Sequence, residues 1–189
     1  MGVRSRALRC VVIALAVGVV VSPSAGAADN GDGFHRVTVD DVPCRPCGRP
    51  VPVGIALDVP AGWKRSTWKQ MVTWTSPNRR PSAAESFSVS PLNGWSDTGL
   101  PSPAEAEAFV RSLPLSKARN VTAQSTTVGD GIQAVMYSFD AKAVHSAVYL
   151  LPTTYDFPRV VAIGFYGYST DPKLDLVIDR VMRSVALTT

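Results

Sequence analysis

The chain has 189 residues, with 19 basic and 15 acidic side chains, a formal charge of +4 and 46% apolar residues. Three of the basic residues, Arg4, Arg6 and Arg9, stand in an N-terminal segment built like an export signal, and without them 16 basic residues face 15 acidic ones, a charge of +1. A near-neutral remainder excludes a general electrostatic pull on nucleic acid or anionic lipid. Its size, about 160 residues, suits one domain that needs no disulfide framework to be stable.

The N-terminal segment MGVRSRALRC is followed by the apolar run Cys10–Val21 and then by SPSAGAAD, with small residues at Ala25 and Ala27. A charged start, a short apolar core and an A-x-A site are the parts of a secretory signal. The run is shorter than the roughly 20 residues that a membrane-spanning helix needs. Cleavage after Ala27 is therefore expected in preference to an uncleaved anchor. No second long apolar run follows, so the mature chain is expected to lack a transmembrane segment and to be secreted or associated with the cell envelope. Cys10 precedes the run and Cys44 lies far beyond it, which disfavours a lipid anchor.

Residues 28–52 read as a flexible leader, a loop or extended strap ending in DDVPCRPCGRPVP, with four prolines and no clear period. From Val53 to Thr189 the pattern is that of one folded domain. VGIALDVP alternates, with Ile55, Leu57 and Val59 on one side, and predicts a strand that ends in the turn PAGW. KQMVTWTSP and ESFSVSPL predict two more. Arg79 and Arg80, between Pro77 and Pro81, read as a solvated turn, and NGWSDTGLPSP as a loop carrying Trp95.

The period then changes. Ser102, Pro103 and Glu105 form a capping box with proline at the first helical position. Ala106, Phe109, Val110 and Leu113 follow at helical spacing. Strands return in VTAQSTTV, IQAVMYSF, HSAVYLLP and RVVAIGFYGYS. The last is the most apolar and is expected at the centre of a sheet, with Gly164 and Gly167 leaving room for a close neighbour. The chain closes in a helix begun by Asp171 and Pro172, with Leu174, Val177, Ile178, Val181 and Val185 on one stripe. Asp175 and Asp179 sit one turn apart on its exposed face. Short turns between neighbouring strands imply an antiparallel sheet, so the class is α+β: one sheet of about six to seven strands packed with two amphipathic helices.

Chemistry is sparse. Cys44 and Cys47 form a Cys-x-x-Cys, and three uses stay open: a local disulfide, a redox pair, or an intermolecular or metal site. An exported chain favours the disulfide. A redox pair needs its first thiol at a helix N-terminus, whereas Pro50 and Pro52 follow here. A zinc site would have to combine these cysteines with His35 and His145, which have no ligand spacing between them. His145 beside Ser146, or with Ser169, is the only hydrolase-like grouping, and no G-x-S-x-G occurs. No cofactor is expected. Trp63 and Trp74 read as core. Trp95, Tyr155 and Phe157 lie in turn-rich loops and are candidate binding anchors, with core-edge packing as the plainer alternative.

The strand ending in DVPAGW, a strand with a central tryptophan, FSVSPL, the S-P-A-E-A helix, a hairpin run and a closing helix ending VMRSVAL together resemble the PsbP-like fold. It is shared by photosystem II extrinsic subunits, the Ran-binding Mog import factor and secreted actinobacterial lipoproteins of the LpqN type. The resemblance spans roughly Val53 to Leu187 and is nearest to the LpqN-type group, from which the chain departs in lacking a lipidated cysteine. It implies a binding or assembly module without a shared catalytic constellation; a protein, lipid or glycan of the cell envelope is the expected partner, and the chain is expected to be a monomer. Thiol–disulfide exchange by Cys44 and Cys47 is the alternative.

Overall fold

The computed structural model of the protein describes residues 33–44, 48–77, 85–92, 98–113, 118–141, 144–168 and 172–188. Along the chain these form β1 (Phe34–Val42), β2 (Val51–Pro60), β3 (Lys64–Trp68), β4 (Met71–Thr75), β5 (Ser86–Pro91), α1 (Pro103–Ser112), β6 (Ala118–Val128), β7 (Ile132–Ala141), β8 (Val144–Pro152), β9 (Val160–Tyr168), α2 (Pro172–Arg183) and β10 (Ala186–Leu187). The protein is α+β, and its sheets are antiparallel.

The strands divide into two sheets rather than the single one expected. The larger runs β3-β4-β5-β9-β8-β7-β6, and the smaller runs β1-β2-β10. β9 lies at the centre of the larger sheet, as its apolar sequence requires. Alternation along β9 sends Val161, Ile163 and Phe165 to one face and Val160 and Ala162 to the other, each set into a separate apolar cluster. The first face carries the smaller sheet and α2. There Trp74, Phe87 and Phe165 are buried in one ring series, with Phe87 4.9 Å from Trp74 and 5.5 Å from Phe165. Trp63 joins its margin at 5.8 Å from Phe87. The opposite face carries α1, whose Ala106 and Val110 pack among Val135, Tyr137, Phe139, Val148 and Leu150.

α1 starts at its sequence signal and α2 buries its predicted stripe; Asp171, the expected cap of α2, lies outside the described residues. Ser102 caps α1, its hydroxyl accepting from the Glu105 N–H while the Glu105 carboxylate accepts from the Ser102 N–H. Leu174, Ile178, Val181 and Val185 are buried along α2 and just beyond it. Asp175 and Asp179 are exposed, and Asp179 pairs with Arg183 at 2.9 Å. Gly164 and Gly167 also do what was expected of them. An added Cβ would lie 2.7 Å from the Tyr166 hydroxyl at the first and 2.6 Å from Leu174 at the second.

Three strands depart from the sequence reading. Residues 34–42, read as part of a loop or strap, form β1 and pair with β2 from Phe34↔Pro60 to Val42↔Val51, across an irregularity between Val39 and Asp41. Lys64–Trp68 forms β3, a hairpin partner for β4, where only one strand was expected. Beyond α2, Ala186 and Leu187 pair with Ala56 and Ile55 of β2. β2 was expected to have one buried face and is buried on both. Val53, Ile55, Leu57 and Val59 point into the core, while Gly54, Ala56 and Asp58 lie under the C-terminal segment and its neighbours.

Candidate functional site

Register decides which loops share an end of the molecule. Val72 pairs with Val89, Pro91 with Val161, and Pro152 with Val160. The β3–β4 turn, the exit of β5 and the β8–β9 loop therefore leave the large sheet at one end. The smaller sheet contributes its own turn there, since the side-chain amide of Gln70 in the β3–β4 turn donates to the sulfur of Cys44, just past β1, at 3.0 Å. The C-terminal segment closes the group: the Thr188 N–H donates to the Gly54 carbonyl at 2.8 Å, and the Thr154 hydroxyl to the Thr188 carbonyl at 3.1 Å. Residues chosen from distant parts of the sequence thus come together on one rim.

Within this rim the β8–β9 loop is internally braced. The Thr153 N–H donates to the Arg159 carbonyl at 3.0 Å, and the Thr153 hydroxyl bonds the carbonyls of Tyr155 and Pro158. Tyr155 is half-buried and lies against Gly54, where an added Cβ would come within 2.9 Å of its ring. Gly54 has φ +54°, so that position is doubly closed to a side chain. The brace leaves Phe157 turned outward and 52% exposed. Tyr155 is a prop and Phe157 the presented group. Across the sheet, about 15 Å away at the ordinary strand spacing, Trp68 is half-buried with the Lys69 ammonium 4.2 Å above its ring. Trp68, one of the four tryptophans, received no role from the sequence, where β3 was not recognised as a strand. Trp95 and Cys47 lie outside the described residues.

The other sequence candidates are placed elsewhere. His145 and Ser146 are neighbours on β8 and point to opposite faces, so they cannot form a nucleophile–base pair. Ser146 is 3% exposed on the α1 side. His145 meets Asp140 across the β7–β8 ladder at 2.7 Å, and the Asn120 side-chain amide donates to the same carboxylate at 2.7 Å. The Asn120 hydrogen bond, and secondarily that of His145, hold the Asp140 carboxyl below its usual range. This trio ties the starts of β6 and β8 to the end of β7, and no hydroxyl is placed against the imidazole in that trio. Ser169 lies outside the described residues. His35 opens β1 and Cys44 lies nine residues further on, about 30 Å along an extended chain. His145 sits at the end of the sheet opposite the rim, so Cys44 is brought together with neither histidine.

A polar groove of about 310 Å³ lies where α2 meets the smaller sheet, lined by Arg36, Asp58, Asp130, Arg180, Arg183 and Ser184. Asp58 is its central acceptor, and Arg183 turns to Asp179 of its own helix at 2.9 Å. Asp58 receives Arg36 at 3.3 Å and Arg180 at 3.5 Å, its own N–H donates to the Ser184 hydroxyl at 2.7 Å, and Arg36 also bonds the Ser184 carbonyl. The arrangement latches the end of α2 to β2. No protein-family model matches the chain, and no curated protein matches it.

Proposed function

We propose that this protein is an exported, non-catalytic binding or assembly module of the bacterial envelope or extracellular space. In this reading it resembles LpqN-type proteins and engages a protein, lipid or glycan through the loop rim. The observation that carries the proposal is the braced β8–β9 loop, which holds Phe157 in solvent while Tyr155 anchors it from beneath. An exposed aromatic held at little entropic cost is a common anchor of an interface. The filled ring series between the sheets supports contact at the surface rather than a ligand taken into that layer.

Cys44 and Cys47 act in this reading as a passive clasp on the β1–β2 connection. Cys44 is 5% exposed, and the next element along the chain is a strand rather than a helix. That setting supports a staple over thiol–disulfide exchange, which requires an accessible thiolate. Purified protein should show no turnover in an insulin-reduction assay.

The binding reading is tested by incubating the protein, and a Phe157→Ser variant of unchanged thermal midpoint, with fractionated envelope protein, lipid and glycan. Retention of one fraction by the parent and its loss in the variant is the expected result. Equal retention by both would remove the rim as the binding surface.

A further inference from the structure

Among the described residues the two sheets have four edge strands without a further strand partner, and three of them are protected against pairing with another strand. β3 has five residues, of which Lys64 and Arg65 are exposed, and Lys69 follows immediately. β1 carries Arg36, Asp40 and Asp41 and is bent at its irregularity. β10 has only two residues. Charge, irregularity and shortness are the usual means of blunting an edge.

β6 is different. It is eleven residues long and pairs only with β7. Among the described residues, none of the backbone hydrogen bonds outside the ladders involves it. The irregularity between Arg119 and Thr122, with Asn120 at φ +53°, disturbs only its start. From Thr122 to Val128 the ladder to β7 is unbroken, and from Asn120 to Val128 there is neither a charge nor a proline. Thr122, Gln124, Ser125 and Thr127 are exposed. An uncharged edge of this length, rich in threonine, is a template for a further strand.

We infer that β6 is a self-association edge, and that its occupant is β6 of a second copy of this chain, antiparallel about a two-fold axis at Gln124. That register places Thr122 opposite Thr126 and Ala123 opposite Ser125. Hydroxyl and β-branched residues then face one another, and no like charges meet. From Asn120 to Val128 no charged side chain is there to select a foreign peptide, whereas the sequence is compatible with itself in reverse. The pairing is also self-limiting. It joins two large sheets into one whose ends are both β3, with Lys64 and Arg65 on each, so growth stops at the dimer.

The test is sedimentation equilibrium of the purified protein from micromolar to millimolar concentration, with hydrogen exchange read on the β6 amides. A monomer–dimer equilibrium is expected, with β6 exchange slowing as the dimer forms. The double variant Thr122→Lys/Thr126→Lys should weaken dimerisation by about tenfold, because two lysine pairs then oppose each other. Residues opposed across an antiparallel pair have Cα atoms about 5 Å apart, within disulfide reach. Gln124→Cys should therefore give a reducible dimer under mild oxidation. A monomer at every concentration, or a dimer of equal strength in the lysine variant, overturns the inference. Phe157→Ser should leave the dimer constant unchanged, which separates this surface from the rim.

Discussion

The two faces of the seven-stranded sheet are covered in different ways. One receives an entire second layer, the smaller sheet together with α2, and buries Trp74, Phe87 and Phe165 in mutual contact. Among the described residues the other receives α1, whose Ala106 and Val110 lie over the β6–β7 side of the sheet, with Leu92 and Leu100 at its margin. The first cover is assembled from segments far apart in the chain: β1 and β2 at its start, α2 and β10 at its end. The second is a single local element with its own caps. The difference separates two sources of stability. Non-local ring and aliphatic packing holds the first face, and a helix that specifies itself from its sequence closes the second.

The comparison is sharpest at the centres of the two covers. Phe87 is fully buried and touches Trp63, Trp74 and Phe165. Phe87→Ala should cost about 3–5 kcal/mol, since a ring is lost from a layer that cannot collapse around the void. Val110→Ala, which removes two methyl groups beneath α1, should cost about 1–2 kcal/mol. Denaturant titration of both variants gives the ratio, and equal losses would break the distinction between the faces.

A second, smaller effect lies where the first cover is latched. Gly129, at the β6–β7 turn, donates its N–H to the Met182 carbonyl at 3.0 Å and so caps the end of α2. It has φ +49°, and an added Cβ would fall 1.9 Å from the Val185 carbonyl. Gly129→Ala must push that segment away, at about 2–3 kcal/mol. Exchange of the α2 and β10 amides should quicken while that of α1 is unchanged. Uniform loss of protection would mean that the two covers unfold as one unit.

What the sequence disclosed follows the same division. The helices, β2, β5 and β7–β9 were legible because each carries its periodicity in its own residues. Ser102, Pro103 and Glu105 mark the start of α1 whatever surrounds it. β3 was not legible, since KRSTW has no apolar alternation and becomes a strand only by pairing with β4. β1 was obscured by charges and by the irregularity before Asp41, which breaks the two-residue period. The second sheet was hidden for a related reason. The even positions of β2, Gly54, Ala56 and Asp58, are small or acidic and do not announce a buried face. They are covered by a C-terminal segment more than a hundred residues away. At the candidate site, Phe157 was nominated from its loop and is exposed there, whereas the contact of Tyr155 with Gly54 is a spatial relation that no local pattern encodes.

The smallest effect tests the self-sufficiency of α1. Ser102→Ala removes the hydroxyl that accepts from the Glu105 N–H and should cost about 1 kcal/mol. The reciprocal half of the capping box is titratable. The Ser102 N–H, and then its hydroxyl, hold the Glu105 carboxyl below its ordinary range. A depressed carboxyl stabilises the fold above its unfolded-state value and ceases to do so as the pH falls through its folded-state value. The protection of the α1 amides, taken relative to their intrinsic exchange rate at each pH, should therefore fall as acid is added through that interval, before that of β9. In Ser102→Ala the backbone donor remains, so the acid response should shrink without disappearing. An acid response of undiminished size in that variant would show that the hydroxyl contributes nothing to holding the carboxylate. α1 would then owe its position to Ala106 and Val110 rather than to its own caps, and the contrast between a self-specified cover and an assembled one would fail.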